Sequence, residues 1–205
     1  KNIYMFESTP NVLAVRIDSP YKTLKDFVDY AKSQPPGVVT IGGSGTSSAN
    51  DLGTAMLNKA AGIKLTYIPF GGTGSAVPAL LGGHVTALMT YTPIAIQYKT
   101  KFRALAIAAE KRMEILPDVP TFRELGYDIV EGAYRGVAAP PGTPDDIIKY
   151  LATAFDKVMK DPEVQKKMDQ NGFKTEYMGP EESLALVKKK MVEYEVIMKE
   201  LGRLK

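Results

Sequence analysis

Short apolar runs alternate with helix-periodic segments along this chain, and that alternation constrains the fold more than any other feature. NVLAVRI, residues 11–17, reads as a strand through its β-branched and apolar content. LKDFVDYAK then sets Leu24, Phe27, Val28 and Ala31 on one helical stripe, which Pro35-Pro36-Gly37 stops. VVTI, LTYIPF, HVTALMT and RALAIAA are four further apolar runs, each bounded by glycine, proline or charge. Helical candidates lie between them at residues 49–60, 75–82 and 92–99. The spacing predicts an α/β fold with parallel strands and helices covering both sheet faces. In such sheets ligands bind at the carboxyl ends of strands, where loops run into helix N-termini.

After Leu116 the texture changes. LPDVPTFRELGYD, with prolines around an acidic residue, reads as an ordered loop, and IVEGAYRGVAAP as another strand closed by PPGTP. Helical patterns follow at 145–159 and 162–170, then a short strand, FKTEYM. A last helix opens at GPEES, with Pro180 in its first turn and Glu181 and Glu182 at the positive end of the helix dipole. A lobe boundary is expected near Gly132, which divides the chain into residues 12–132 and a second lobe of 1–11 with 133–205.

Two loops in the first region carry the most distinctive chemistry. IGGSGTSSAND, residues 41–51, follows a strand and opens a helix, and it is built from glycine and hydroxyl residues. Backbone N–H groups at such a junction point outward at the positive end of a helix dipole, which makes an anion site. Gly42, Gly43 and Gly45 are expected to allow close approach and positive φ, while Ser44, Thr46, Ser47 and Ser48 add hydroxyls. The plainer reading is a capped helix, since Ser48 and Asp51 have capping-box spacing. FGGTGSAVPALLGG, residues 70–83, repeats the arrangement with Gly71, Gly72 and Thr73. As a pair at equivalent ends of neighbouring strands, the loops favour an anionic ligand.

Enzyme templates fit poorly. GGSGTS lacks the third glycine of a dinucleotide fingerprint, lacks the lysine of a P-loop, and has Thr46 where a nucleophile elbow needs glycine. The single histidine, His84, precedes a strand and reads as a turn residue. Cysteine is absent, and no His, Asp and Glu cluster has metal-ligand spacing, so neither a catalytic residue nor a metal or other cofactor is expected. A net charge of +3 without a basic stripe argues against nucleic acid. No apolar run approaches the roughly 18 residues of a membrane span. KNIYMFESTP lacks a signal-peptide pattern, which leaves both a removed signal and an unexported chain open.

Arg135, in EGAYRGVAAP, can clamp a carboxylate through two hydrogen bonds or make an ordinary ion pair between lobes, with Glu131 as a candidate partner. Thr90 follows the strand of residues 84–89. Tyr91 and Tyr134 are cleft walls on one reading and packed, half-buried tyrosines on the other. Lys188-Lys189-Lys190 reads as a solvated helix face, with a docking surface for a membrane partner as the alternative.

PNVLAVRIDSPYKTLKDFVDYAKSQP, VTIGGSGTSSANDL, YIPFGGTGSAVPALLGGHVTAL, RALAIAAEKRMEILPDVPTFRELGYD and YRGVAAPPGTP resemble, in order, blocks of the substrate-binding proteins of tripartite tricarboxylate transporters, the Bug family. The likeness covers essentially the whole chain. It implies a two-lobed periplasmic binding protein fold of type II, the Venus-flytrap architecture, hinged near residues 10–12 and 132–135. It further implies a periplasmic protein that captures a di- or tricarboxylate, or a related small acid, and hands it to membrane permease subunits. Residues Ser44 to Ser48 match the family's carboxylate loop. Departures are Phe70-Gly71-Gly72 in place of tyrosine-lysine-glycine, Asn50-Asp51 in place of a histidine, and Thr90-Tyr91 in place of an acidic residue. Family members usually begin with a further βαβ-rich segment, so the lobe containing residues 134–205 is expected to be incomplete, with an exposed sheet edge. A ligand-sensing regulatory domain and a nucleotide- or phosphate-using α/β enzyme are the alternatives from other classes.

Overall fold

The computed structural model describes residues 1–204. Its elements follow in the order β1 (Asn2–Arg16), α1 (Leu24–Ser33), β2 (Thr40–Gly43), α2 (Ala49–Ala61), β3 (Thr66–Pro69), α3 (Thr73–Leu81), β4 (Ala87–Tyr91), α4 (Thr92–Gln97) and β5 (Phe102–Ile107). After a long ordered loop come β6 (Gly132–Ala138), α5 (Asp145–Met159), α6 (Pro162–Gln170), β7 (Thr175–Met178) and α7 (Pro180–Glu200). Local signals set most of these ends. Thr23 and Asp26 close a reciprocal capping box on α1, Gly62 ends α2 in the left-handed conformation at φ 64°, and Asp161 caps α6 ahead of Pro162.

Pro10–Gly132 forms one unit. Its sheet has the order β3-β2-β4-β1-β5, with β2 parallel to both β3 and β4 and with β1 antiparallel to both β4 and β5. The all-parallel expectation is therefore corrected at β1, which runs against both of its neighbours in this sheet, β4 and β5. Val12 to Val15 are fully buried, and a strand covered on both faces reads as one apolar run whichever way it points.

The two faces separate by residue parity. Leu13, Val15, Ala87 and Met89 pack under α1 and α2 with Phe27, Val28 and Leu57, whereas Ala14 and Leu88 pack under α3 with Ala76, Val77 and Leu80. Burial of each large side chain contributes about 1.5–3 kcal/mol. The four α1 residues of the predicted stripe are its four buried residues.

The other unit comprises Lys1–Thr9 and the chain from Ala133 onward. There β1 pairs with β6 and, antiparallel, with β7. Ile3, Tyr4, Ile148 and Met159 form its buried cluster, with Phe155 stacked on Tyr4. Burial, with Asp156 accepting its hydroxyl proton at 3.0 Å, pushes the Tyr4 phenol well above its usual range. This unit leaves apolar side chains in solvent: Tyr150, Met191, Val192 and Val196 are each more than half exposed. No described helix is long and apolar enough to cross a membrane.

Candidate functional site

The parallel strands β2, β3 and β4 lie side by side, and their carboxyl ends lead directly into α2, α3 and α4. Three helix starts therefore share one edge of the sheet in the Pro10–Gly132 unit. Dense packing holds the strand ends there. A Cβ on Gly43 would meet the Tyr67 hydroxyl at 2.5 Å and the Met89 carbonyl oxygen at 2.9 Å, and one on Gly42 would meet Leu88 at 2.9 Å. Gly43 is needed for space because the Met89 carbonyl is backbone, whereas at Gly42 the obstacles are side-chain ends. The expected positive φ is found at neither of them nor at Gly45; Ser47 takes it instead, at φ 61°. Its amide donates to Asp51 Oδ2 at 2.8 Å, which holds the strained residue in place.

The first loop uses part of its own donor supply. Ser44 N donates to Asn50 Oδ1 (3.1 Å), Ser48 N to Gly45 O (3.2 Å), and Asp51 N to the Ser48 hydroxyl (3.4 Å). The capped-helix reading is thus correct for Ser48, although Asp51 returns its carboxylate to Ser47 rather than to Ser48. The amides of Gly45, Thr46, Ala49 and Asn50 make no hydrogen bond among the described residues. Gly45 is exposed, and a Cβ built there would meet nothing within 4 Å. The loop thus presents a bare amide face beside a helix start. An anion there gains about 0.3–1 kcal/mol from the dipole, opposed in part by the buried Asp51 carboxylate.

The second loop is barer still. Gly72 caps α3 without a side chain, and the amides of Gly71, Gly72, Thr73 and Gly74 make no hydrogen bond among the described residues. Phe70 N donates to Gly43 O at 2.9 Å, and Thr73 Oγ1 to Asn50 Oδ1 at 3.4 Å, so the two loops are joined. At the third strand end, Thr90 is fully buried and its hydroxyl has no hydrogen-bond partner among the described residues. Tyr91 is half-buried at the start of α4. Ser44 to Ser48, Gly71 to Thr73, Thr90 and Tyr91 therefore all lie on or beside one sheet edge.

Tyr134 and Arg135 are carried by β6 in the other unit. Arg135 Nη1 donates to Glu7 Oε1, whose carboxylate is buried and also accepts from Thr9 Oγ1. The suggested partner Glu131 instead accepts from Gly132 N at 2.9 Å, so the ion pair is corrected to Glu7, within one unit. Lys190 Nζ lies 5.4 Å from the Tyr134 ring centroid and 5.6 Å from that of Tyr194, with only 14% of its side chain exposed. One of the three lysines read as a solvated face is therefore largely covered, with its ammonium paired to Glu193 Oε2 at 2.8 Å as well as lying over two rings. His84 stands exposed in the turn before β4.

Sequence reasoning missed the groups beneath the loops. Tyr67 donates its hydroxyl proton to the Ser44 carbonyl, and burial pushes its phenol up to about 12, so it stays a donor at neutral pH. Asn11 and Asn50, both fully buried, bond to each other through Asn50 Nδ2 and Asn11 Oδ1 at 2.9 Å. Only a pairing across 39 positions could have shown this, and no local pattern encodes it.

The match to known proteins covers nearly all of the chain. The model of the tripartite tricarboxylate transporter family receptor matches residues 1–203. A protein from Cupriavidus necator, described as UPF0065 protein in gbd 5'region, is 33% identical over 192 residues, covering 93% of this chain and 58% of that protein. Protein BugT of Bordetella pertussis is 27% identical, covering 98% of this chain and 62% of its own length. The solved periplasmic binding protein BugD is 31% identical with a TM-score of 0.87, covering all of this chain and 70% of that one. MatC from Rhodopseudomonas palustris, solved with bound malate, is 28% identical with a TM-score of 0.85, covering 96% and 68%. The chain thus spans about three-fifths of the length of the curated relatives it matches. With this match and a sheet edge lined by amide donors, the chain belongs to the tripartite tricarboxylate transporter receptor family.

Proposed function

We propose that this chain is the ligand-capturing part of an extracytoplasmic solute-binding protein. It takes up a small organic di- or tricarboxylate and delivers it, unaltered, to the membrane subunits of a tripartite tricarboxylate-type transporter. One observation carries the reading. The amides of Gly45, Thr46, Gly71, Gly72 and Thr73 have no hydrogen-bond partner among the described residues and stand beside helix starts at adjacent strand ends. Such donors hold a carboxylate by charge-assisted hydrogen bonds. The malate in the MatC structure supports an acid as the ligand. We read Pro10–Gly132 as the unit that makes first contact, with Thr90 and Tyr91 flanking the acid. Nothing in the loops activates a nucleophile, which fits capture without turnover.

Isothermal calorimetry of the full-length protein against mono-, di- and tricarboxylates tests the reading. At least one acid should bind at micromolar affinity or tighter and be recovered chemically unchanged. Millimolar binding by every acid, or conversion of any of them, would refute it.

A further inference from the structure

Beneath the loops lies a relay of two fully buried side-chain amides, Asn11 and Asn50. Asn11 Nδ2 donates to the Ala49 carbonyl at 2.7 Å, which fixes the orientation of the Asn11 amide. Asn11 Oδ1 must then face Asn50 Nδ2, at 2.9 Å, which in turn fixes Asn50. The consequence is that Asn50 Oδ1 points at the loops. It accepts from Ser44 N at 3.1 Å, Ser44 Oγ at 2.7 Å and Thr73 Oγ1 at 3.4 Å. Gly53 makes room for this, because a Cβ there would collide with Asn11 Nδ2. Both asparagines are fully buried, and Asn11 also bonds along its own backbone, its N to Glu131 O (2.9 Å) and its O to Ala108 N (2.8 Å).

We infer that Asn11 and Asn50 are positioning residues for carboxylate capture. They turn a neutral acceptor toward both loops, so that the Ser44 amide and the Ser44 and Thr73 hydroxyl protons are spent inward and the outward face is left to the amides of Gly45, Thr46 and Gly71 to Thr73. A neutral acceptor is essential to the device. A carboxylate in its place would satisfy Ser44 equally well but would set a negative charge beneath an anion site and lose the donor that Asn11 requires. This inference rests on the proposed capture of an acid at these loops.

Asn50→Asp separates the two ideas. Wild type and variant are titrated by calorimetry with the tightest-binding acid from the carboxylate panel, at pH 7.5 and pH 5, each compared with wild type at the same pH. The variant should bind at least about 30-fold more weakly at pH 7.5 and recover most of that loss at pH 5. Protonation at pH 5 returns a neutral side chain with a donor, and burial raises the pKa of a carboxyl into that range. A purely structural lesion would not recover on acidification. An affinity within threefold of wild type at pH 7.5, or a loss independent of pH, overturns the inference while leaving acid capture intact. A wild-type protein that binds no acid removes both. If Asn50→Asp fails to fold, Asn11→Ala carries the test, because it adds no charge and lies a layer below the loops. It should weaken binding about tenfold, and unchanged affinity overturns the inference.

Discussion

Gly43 and Gly45 stand two residues apart in one loop, and alanine at each should behave in opposite ways. At Gly43 an added Cβ meets the Tyr67 hydroxyl at 2.5 Å, Asn50 Cβ at 2.9 Å and the Met89 carbonyl oxygen at 2.9 Å. The last is backbone of an inner strand and cannot step aside. Overpacking of this kind costs about 1–3 kcal/mol, and three simultaneous contacts place Gly43→Ala toward the upper end. Against it stands about 0.4–1 kcal/mol gained from a stiffer unfolded chain, which leaves a net loss of roughly 1–2.5 kcal/mol. At Gly45 no atom lies within 4 Å of the new Cβ and φ is not positive, so only the gain remains. Gly45→Ala should therefore keep or slightly raise stability while weakening acid binding, because its methyl stands on the bare amide face. Urea denaturation measures the first quantity and calorimetry the second. Gly43→Ala as stable as wild type would refute the packing argument, and Gly45→Ala with unchanged affinity would remove this loop from the site.

Other expectations follow from the same contacts. Tyr67→Phe deletes the donor to the Ser44 carbonyl and should cost about 1 kcal/mol, with weaker acid binding; equal stability in urea would show that the bond is dispensable. Because the Tyr67 phenol is raised to about 12 in the folded protein, the folded state holds its proton longer than the unfolded chain does, so stability is unaffected below about pH 10 and falls as pH climbs toward 12. That alkaline fall should be shallower in Tyr67→Phe, and an unchanged slope would contradict the assignment. Arg135→Ala leaves the Glu7 carboxylate buried with Thr9 as its one side-chain hydrogen-bond donor among the described residues and should cost about 1–3 kcal/mol, reduced from a fully buried pair because the guanidinium is 45% exposed. Loss of affinity without loss of stability would return Arg135 to the ligand.

Most elements were legible because their cause is local. The apolar stripe of α1 and the Pro180 and Glu181 start of α7 each appear within a few residues of sequence, and each element forms where expected. The glycine loops were legible as loops for the same reason. What escaped notice depends on distant partners. β1 begins at Asn2, far ahead of the apolar run, and its first half is hidden because Glu7 and Ser8 interrupt the strand pattern and Pro10 lies within it. Each polar group is nonetheless satisfied in place: Glu7 by Arg135 and Thr9, Ser8 by Glu176, and Asn11 by Asn50 and Ala49. The antiparallel course of β1 has no sequence signature either, since burial on both faces removes the alternation that would tie a strand to one layer. Within the site, the left-handed residue is Ser47 rather than a glycine, and its stabilising partner is Asp51, whose spacing from Ser48 suggests a capping box instead.

The central claim concerns the unbonded peptide nitrogens of the two loops, and amide NMR reads two of them, Gly45 and Thr46, directly. On titration with the tightest-binding acid, the Gly45 and Thr46 N–H resonances should move downfield in a saturable manner, while the Ser47 and Ser48 amides, already bonded to Asp51 and Gly45, move far less. A saturable binding curve by calorimetry with both Gly45 and Thr46 resonances stationary would contradict the account.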